Sequence, residues 1–306
     1  MGTLGWGPTF FGQATHLWEQ DFTYTITLED TITITGHTGE NESVEIPEII
    51  YNQPVTSIET RAFEYDNSLI TLHIPNSVTN IGSSAFSGCD NLTSITPPNL
   101  LTSIASHMFT YSKLSNITIP DSVTRIGDSA FFGSDLRKVT LSDTLTDIEP
   151  YAFGLCEELM SITIPRSVTN IEAYAFYACT SITNLSVEDQ NTNYSSLDGV
   201  FFNKDQDTLI AYPIGRQKTA YAIPNSVTEI DVYAFGEAAN LTDVTIPNSV
   251  TTISDNAFEY CYELKSIYCM GSAPNLGANA FYNIDAQAIV YYLAGASGWG
   301  STYGGI

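Results

Sequence analysis

The sequence predicts a solenoid, one elongated array of short coils stacked on each other, and three observations carry that prediction. The stretch "IPNSVTNIGSSAFSGCDNLTSIT", residues 74–96, spaces its apolar residues to fit neither a helix, with its period of three or four, nor a half-buried strand, with its strict alternation. The same pattern returns from Ile119, Ile164, Ile223 and Ile246, with weaker copies from Ile46, Pro97 and Leu141, and most of the eight copies lie 22 or 23 residues apart. Ile, Val, Ile, Phe, Cys, Leu and Ile each keep one place in the unit. A unit this small cannot bury its own apolar face. It gains a core only by stacking, and each place then becomes a ladder of like side chains along the interior.

The elements follow in chain order. Residues 22–35, "FTYTITLEDTITIT", alternate apolar and polar side chains around Glu29-Asp30, which predicts a β-hairpin. It belongs to an N-terminal cap over 21–45 that covers the apolar end of the first coil. The coils occupy 46–268. Within each, Leu92-x-x-Ile95 leads into a short strand, Pro75-Asn76-Ser77 marks a turn, and Ser84-Ala85-Phe86 is long enough for one helical turn at most. Residues 187–222 break the period. Val200-Phe201-Phe202 and Leu209-Ile210-Ala211-Tyr212 bracket a polar turn there, which predicts a hairpin inserted into the array and makes it a candidate contact site. Asn203-x-Asp205-x-Asp207 begins like a calcium loop, but Thr208 stands where Gly is needed and Ile214 where an acid is needed, so a polar turn is the better account. Residues 269–306 form a C-terminal cap.

The unit Pro-x-Ser-Val-Thr-x-Ile-x-x-x-Ala-Phe-x-x-Cys-x-x-Leu-x-x-Ile resembles the BspA-type (Treponema pallidum-type) leucine-rich repeat, and the resemblance covers nearly the whole chain. It implies a leucine-rich-repeat solenoid with a parallel sheet on the concave side and short helical turns on the convex side. It also implies an extracellular or cell-surface protein used in adhesion, with a binding surface and not a reaction.

"GTLGWGPTFFG", Gly2 to Gly12, matches "GASGWGSTYGG", Gly295 to Gly305, in its Gly, Trp, Thr and aromatic positions. In similar proteins this motif closes an array and leads into one last strand, so residues 1–20 resemble the end of a preceding module. Two readings follow. The chain is a segment of a longer tandem protein, or it assembles head to tail, with Trp6, Phe10, Leu17 and Trp18 of one copy meeting Trp299 and Tyr303 of the next. Contacts of that heterologous kind do not close and give filaments.

Composition removes several function classes. With 34 acidic residues against 10 basic and a formal charge of -24, the chain is a poor partner for nucleic acid or an anionic membrane surface. No apolar run reaches the length of a membrane span, which predicts no membrane insertion, and "MGTLGWGPTF" lacks the pattern of a secretory signal. Cys89, Cys156, Cys179 and Cys261 share one repeat position, where a thiol packs as a small hydrophobe. Cys156 and Cys179 are one repeat apart, so a disulfide is open there; Cys269 lies outside the ladder and is the thiol to test for reactivity. No Cys-x-x-Cys occurs, the four histidines His16, His37, His73 and His107 are scattered, and no nucleophile motif is present. These observations point to no metal, no cofactor and no catalytic residues. Of the six Asn-x-Ser/Thr sequons, three arise from the repeat consensus where its strands begin.

Binding residues are expected on the strand Leu-x-x-Ile-x-Ile, whose x positions alternate out of the core toward the concave face. The last x gives His73, Thr96, Thr118, Thr140, Thr163, Ser186, Thr245 and Tyr268, and the positions before it add Arg137, Lys138, Met160, Asn184, Thr242 and Lys265. Threonine suits a strand through its β-branching alone, which gives a structural reading. The functional reading is recognition of a protein or glycan through many weak polar contacts, with His73, Arg137, Lys138, Met160, Lys265 and Tyr268 supplying specificity.

Overall fold

The computed structural model describes residues 21–305, so Trp6, Phe10, Leu17 and Trp18 lie outside the described residues. The chain winds as coils that each contribute two short strands and one turn segment. The first set of strands forms a front face and includes Ser43–Glu45, Thr71–His73, Ser94–Thr96, Asn116–Thr118, Lys138–Thr140, Ser161–Ile164 and Asn184–Val187, then Ala220–Ala222, Asp243–Ile246, Ser266–Cys269 and Ile289–Tyr292. The second set forms a side sheet, with Ser103–Ile104, Arg125–Ile126, Asp147–Ile148 and Asn170–Ile171 in one ladder. Pairing between equivalent strands is parallel and in register, as in Ile117↔Val139 and Ile126↔Ile148. In most front strands the central apolar residue is buried and its neighbours face outward, which is the period of two that the sequence pattern requires.

The third side of each coil departs from expectation: no helical turn occurs among the described residues. Two residues four apart take positive φ in each turn segment, such as Ser84 (57°) with Gly88 (67°) and Asn256 (57°) with Tyr260 (60°), and left-handed residues cannot continue a right-handed helix. Hydrogen bonding gives the reason. Ser84, Phe86 and Gly88 donate their N–H groups to Ser106, Met108 and Thr110 of the following coil, at 3.1, 3.0 and 2.8 Å. An amide given to the next coil is unavailable to the carbonyl four residues back. Stacking therefore replaces the helix.

The interior is the set of ladders that the repeat predicts. Phe63, Phe86, Phe109, Phe131, Phe153 and Phe176 follow one another at centroid separations of 5.3, 5.6, 5.3, 5.5 and 5.9 Å. Cys89, Cys156, Cys179 and Cys261 are buried free thiols, and each gives its S–H to the carbonyl of a ladder phenylalanine in the coil before. No disulfide joins Cys156 to Cys179. Cys269 is buried too, at 2 % exposure, because it pairs with Ile246 and takes that residue's inward position.

The N-terminal hairpin is present, with Phe22–Ile26 antiparallel to Ile32–His37, and the latter strand joins Gln53–Ile58 in parallel. Phe22 and His37 pack on the Phe63 ring and close the first end of the ladder. Residues 194–211 form a three-stranded antiparallel meander, Tyr194–Leu197, Val200–Asn203 and Thr208–Ala211, one strand more than the hairpin expected. Its third strand pairs in parallel with Glu229–Ile230 and so restarts the side sheet. Val200, Phe201 and Phe202 are fully buried, which makes the insertion a structural joint. At the C-terminal end Trp299 stacks on Tyr292 at 4.9 Å and donates its N–H to the Gly271 carbonyl, while the Tyr303 hydroxyl donates to Pro274.

Candidate binding face

Register places the expected residues in lanes across the front strands. One lane runs Glu45, His73, Thr96; it continues through Thr118 and Thr140, then Thr163 and Ser186, then Ala222, Thr245, Tyr268 and Tyr291. A neighbouring lane brings Asn116 beside Lys138, Ser161 beside Asn184, and Asp243 beside Ser266. Arg137, Met160, Thr242 and Lys265 each stand immediately before their strands, with Arg137, Met160 and Lys265 exposed and Thr242 half-buried. Glu45 and Tyr291 were not among the expected residues. Tyr291 was within reach, since it lies 23 residues after Tyr268, one repeat length.

Hydrogen bonds separate the threonines into two kinds. At the strand starts, Thr93, Thr183 and Thr242 donate their hydroxyls to Ile70, Met160 and Thr219 carbonyls of the preceding coil, at 3.4, 3.3 and 3.0 Å. These hydroxyls bind the array to itself. In the outer lane Thr163 shares a 2.8 Å bond with Ser186, whereas among the described residues Thr96, Thr118, Thr140 and Thr245 have no side-chain bond to protein. Their donors and acceptors face outward without a partner.

The front sheet is also interrupted. Ladders join Ser43–Glu45 through Ser94–Thr96, and Asn116–Thr118 with Lys138–Thr140, but not one group to the other. A second break separates Lys138–Thr140 from Ser161–Ile164, and Pro97 marks the first. It stands where the unit has Ile, and without an N–H it cannot make the bond that Ile119 gives to the Thr140 carbonyl at 2.9 Å. A shallow groove of about 580 Å³ opens there, and Thr96, Asn99, Asn116, Thr118, Lys138 and Thr140 line it. Four expected residues thus meet in one place. Lys138 has no ion pair among the described residues, while Arg137 faces Glu158 at 3.6 Å and Lys265 faces Glu263 at 3.2 Å. At the other end of the lane the exposed rings of Tyr268 and Tyr291 stack at 5.0 Å and 16°. His73 stands beside Thr96 at the edge of the groove, while Met160 and Asn184 lie apart from both features.

Among the described residues no group of three or more His, Cys, Asp or Glu side chains could hold a metal ion, and no helix is long and apolar enough to cross a membrane. Burial raises the thiol pKa of Cys89, Cys156, Cys261 and Cys269 to about 12, which leaves no reactive thiolate near neutral pH.

Comparison with known proteins now decides the family. The model of the BspA type leucine rich repeat region matches residues 18–137, 102–210 and 216–292. The chain belongs to the BspA-type leucine-rich-repeat family. None of the curated proteins matches it significantly. Among solved structures it is similar to a leucine rich cell surface protein of Faecalibacterium prausnitzii, at 25% identity and TM-score 0.59, covering 95% of this chain and 96% of that one. The pneumococcal vaccine antigen PcpA shares the fold at TM-score 0.75 and 24% identity, over 89% of this chain and 79% of that one. A leucine-rich repeat protein of Bacteroides ovatus shares it at TM-score 0.56 and 19% identity, over 89% and 98%. Membership of this BspA-type family suggests a protein-interaction role.

Proposed function

We propose that this solenoid is a non-enzymatic cell-surface adhesion module that binds a protein or glycan through its front strands. The observation that carries the reading is the split between the two rows of threonines. β-Branching accounts for both rows, yet only the outer one leaves hydroxyls unspent, beside the unpaired ammonium of Lys138 and the stacked tyrosines. Neutral hydroxyls and amides make many modest hydrogen bonds, each worth about 1 kcal/mol net, and a long lane of them sums to affinity and selectivity. Tyr268 and Tyr291 present a flat apolar platform that suits either a sugar ring or an aromatic side chain. The name of the F. prausnitzii relative, a leucine rich cell surface protein, supports the location.

The test is attachment. The double variant Thr118→Val/Lys138→Glu should weaken binding to host-cell or matrix surfaces by roughly 10-fold or more, from the loss of two polar contacts, with an unchanged circular dichroism spectrum. Full attachment by a folded double variant would overturn the reading. Head-to-tail assembly is the second proposal. Trp299 and Tyr303 do not favour it, because both are engaged by their own chain.

A further inference from the structure

We propose that the notch beside the insertion, between the turn segments of residues 174–178 and 232–236, binds a small neutral aromatic molecule, one six-membered ring carrying a carbonyl or hydroxyl. This site is separate from the front strands and does not rest on the adhesion reading.

The notch exists because one coil is short. Register equates Leu209 with Ile230 and Ala220 with Asp243, so 11 residues here do the work of 13 in the next coil. The missing part is the Ala-Phe turn. Tyr212 occupies the ladder position instead and stacks on Phe235 at 5.1 Å, and Gly215 donates its N–H back to Ile182.

Three consequences converge on the gap. In the coil before, Phe153 and Leu155 give their N–H groups to Ala175 and Tyr177 at 2.9 and 2.7 Å; among the described residues the equivalent N–H groups of Phe176 and Ala178 have no protein acceptor, nor has that of Tyr174, and the facing carbonyls of Val232 and Gly236 have no protein donor. Phe176 is part-exposed, while Phe131, Phe153, Phe235 and Phe258 are at 0 %. The hydroxyls of Tyr212 and Tyr233, residues only 4 % and 9 % exposed, are buried, the first beside Arg216 and the second beside Tyr177 and Glu237, and none of these contacts has full hydrogen-bond geometry.

These features define the ligand. The cavity measures about 110 Å³ and opens to solvent at its rim, where the Tyr233 ring meets Tyr174 at 5.5 Å and Tyr177 at 4.9 Å. A closed cavity of about 150 Å³ holds benzene, so this smaller but open notch takes one ring at most, part of it standing in the opening. The free face of Phe176 offers stacking. The unspent N–H groups of Phe176 and Ala178 call for a carbonyl or hydroxyl oxygen on the ligand. Glu172 and Asp231 line the walls and oppose an anion. Donors turned inward oppose a cation.

Three isosteric probes test the charge and the chemistry together: benzamide, benzoate and benzylamine, titrated against the 15N-labelled full chain. Benzamide should bind with Kd on the order of 1 mM or tighter. The Tyr174, Phe176 and Ala178 amides should shift most, and benzoate and benzylamine should bind at least about 10-fold more weakly. Tyr233→Phe, which keeps the ring and the fold, should weaken benzamide by about 3- to 10-fold. Ala211→Leu, which fills the cavity, should abolish binding. Shifts that do not saturate, saturable shifts centred elsewhere, preference for benzylamine, or unchanged binding in a folded Ala211→Leu protein would each overturn the proposal.

Discussion

Phe131 lies between Phe109 and Phe153 with no exposed surface, so it packs against a like ring on both faces. Phe131→Ala removes two stacking contacts and leaves a cavity that rigid neighbouring coils cannot fill, which should cost about 3–5 kcal/mol in chemical denaturation. The ladder thiols give a second prediction. Unfolded cysteines titrate near 9, and burial holds Cys89, Cys156, Cys261 and Cys269 at about 12, so the folded state favours the neutral thiol. That contribution is complete below pH 9 and is lost as pH rises from 9 toward 12. Native protein at pH 8 should therefore leave all five thiols unmodified by Ellman's reagent, and denatured protein should release five equivalents. Much of this was legible. Four cysteines share a repeat position, but their bonds to phenylalanine carbonyls depend on coil-to-coil distance, which no spacing encodes. Cys269 does lie outside the thiol ladder, but as the residue 23 places after the inward-facing Ile246 it is buried and not the exposed thiol that reactivity would need.

At the scale of the element, period predicted the strands and failed at the turns. Ser84-Ala85-Phe86 has the composition of a helical turn, yet neighbouring coils capture its amides before a local carbonyl can. A single unit does not reveal that competition. The meander shows a related limit. Its buried strand was readable from Val200-Phe201-Phe202, but its anchor was not. Asn191 has no exposed surface; its side-chain amide donates to Pro165 and Val168 carbonyls at 2.8 and 2.9 Å, while its oxygen accepts from the Asn193 and Tyr194 amides, both at 2.8 Å. All four capacities of one side chain tie the insertion to the preceding coil. Asn191→Ala should cost about 3 kcal/mol or more by leaving buried backbone groups unpaired. Native-state hydrogen exchange should accelerate first over residues 191–203. A loss spread evenly over the chain would show that the side chain does not anchor the insertion.

On the scale of the whole molecule, stacking makes stability a sum over neighbouring coils, and the interior is divided at the insertion. One apolar cluster runs from Phe22 to Leu185 and includes Phe201; the other runs from Val200 to Phe281. Alternation along one strand is what joins them, since Val200 and Phe202 face one cluster and Phe201 the other. Both the turn-to-turn hydrogen bonds and the aromatic ladder are interrupted here, because Phe176 has no stacking partner in the coil that follows. The coupling between halves therefore rests on the meander, the Gly215 bond to Ile182 and the contacts of Tyr233 with Tyr174 and Tyr177, while most coils within each half share a continuous aromatic ladder and turn-to-turn hydrogen bonds. Phe258→Ala, deep in the second cluster, should accordingly lower protection from hydrogen exchange across residues 220–292 and leave residues 71–187 close to wild type. Urea unfolding of that variant should separate into two transitions, the first reporting on the C-terminal half. Equal loss of protection on both sides of the insertion would mean that the joint transmits stability as well as a regular coil does, and that the interrupted ladder has no energetic consequence.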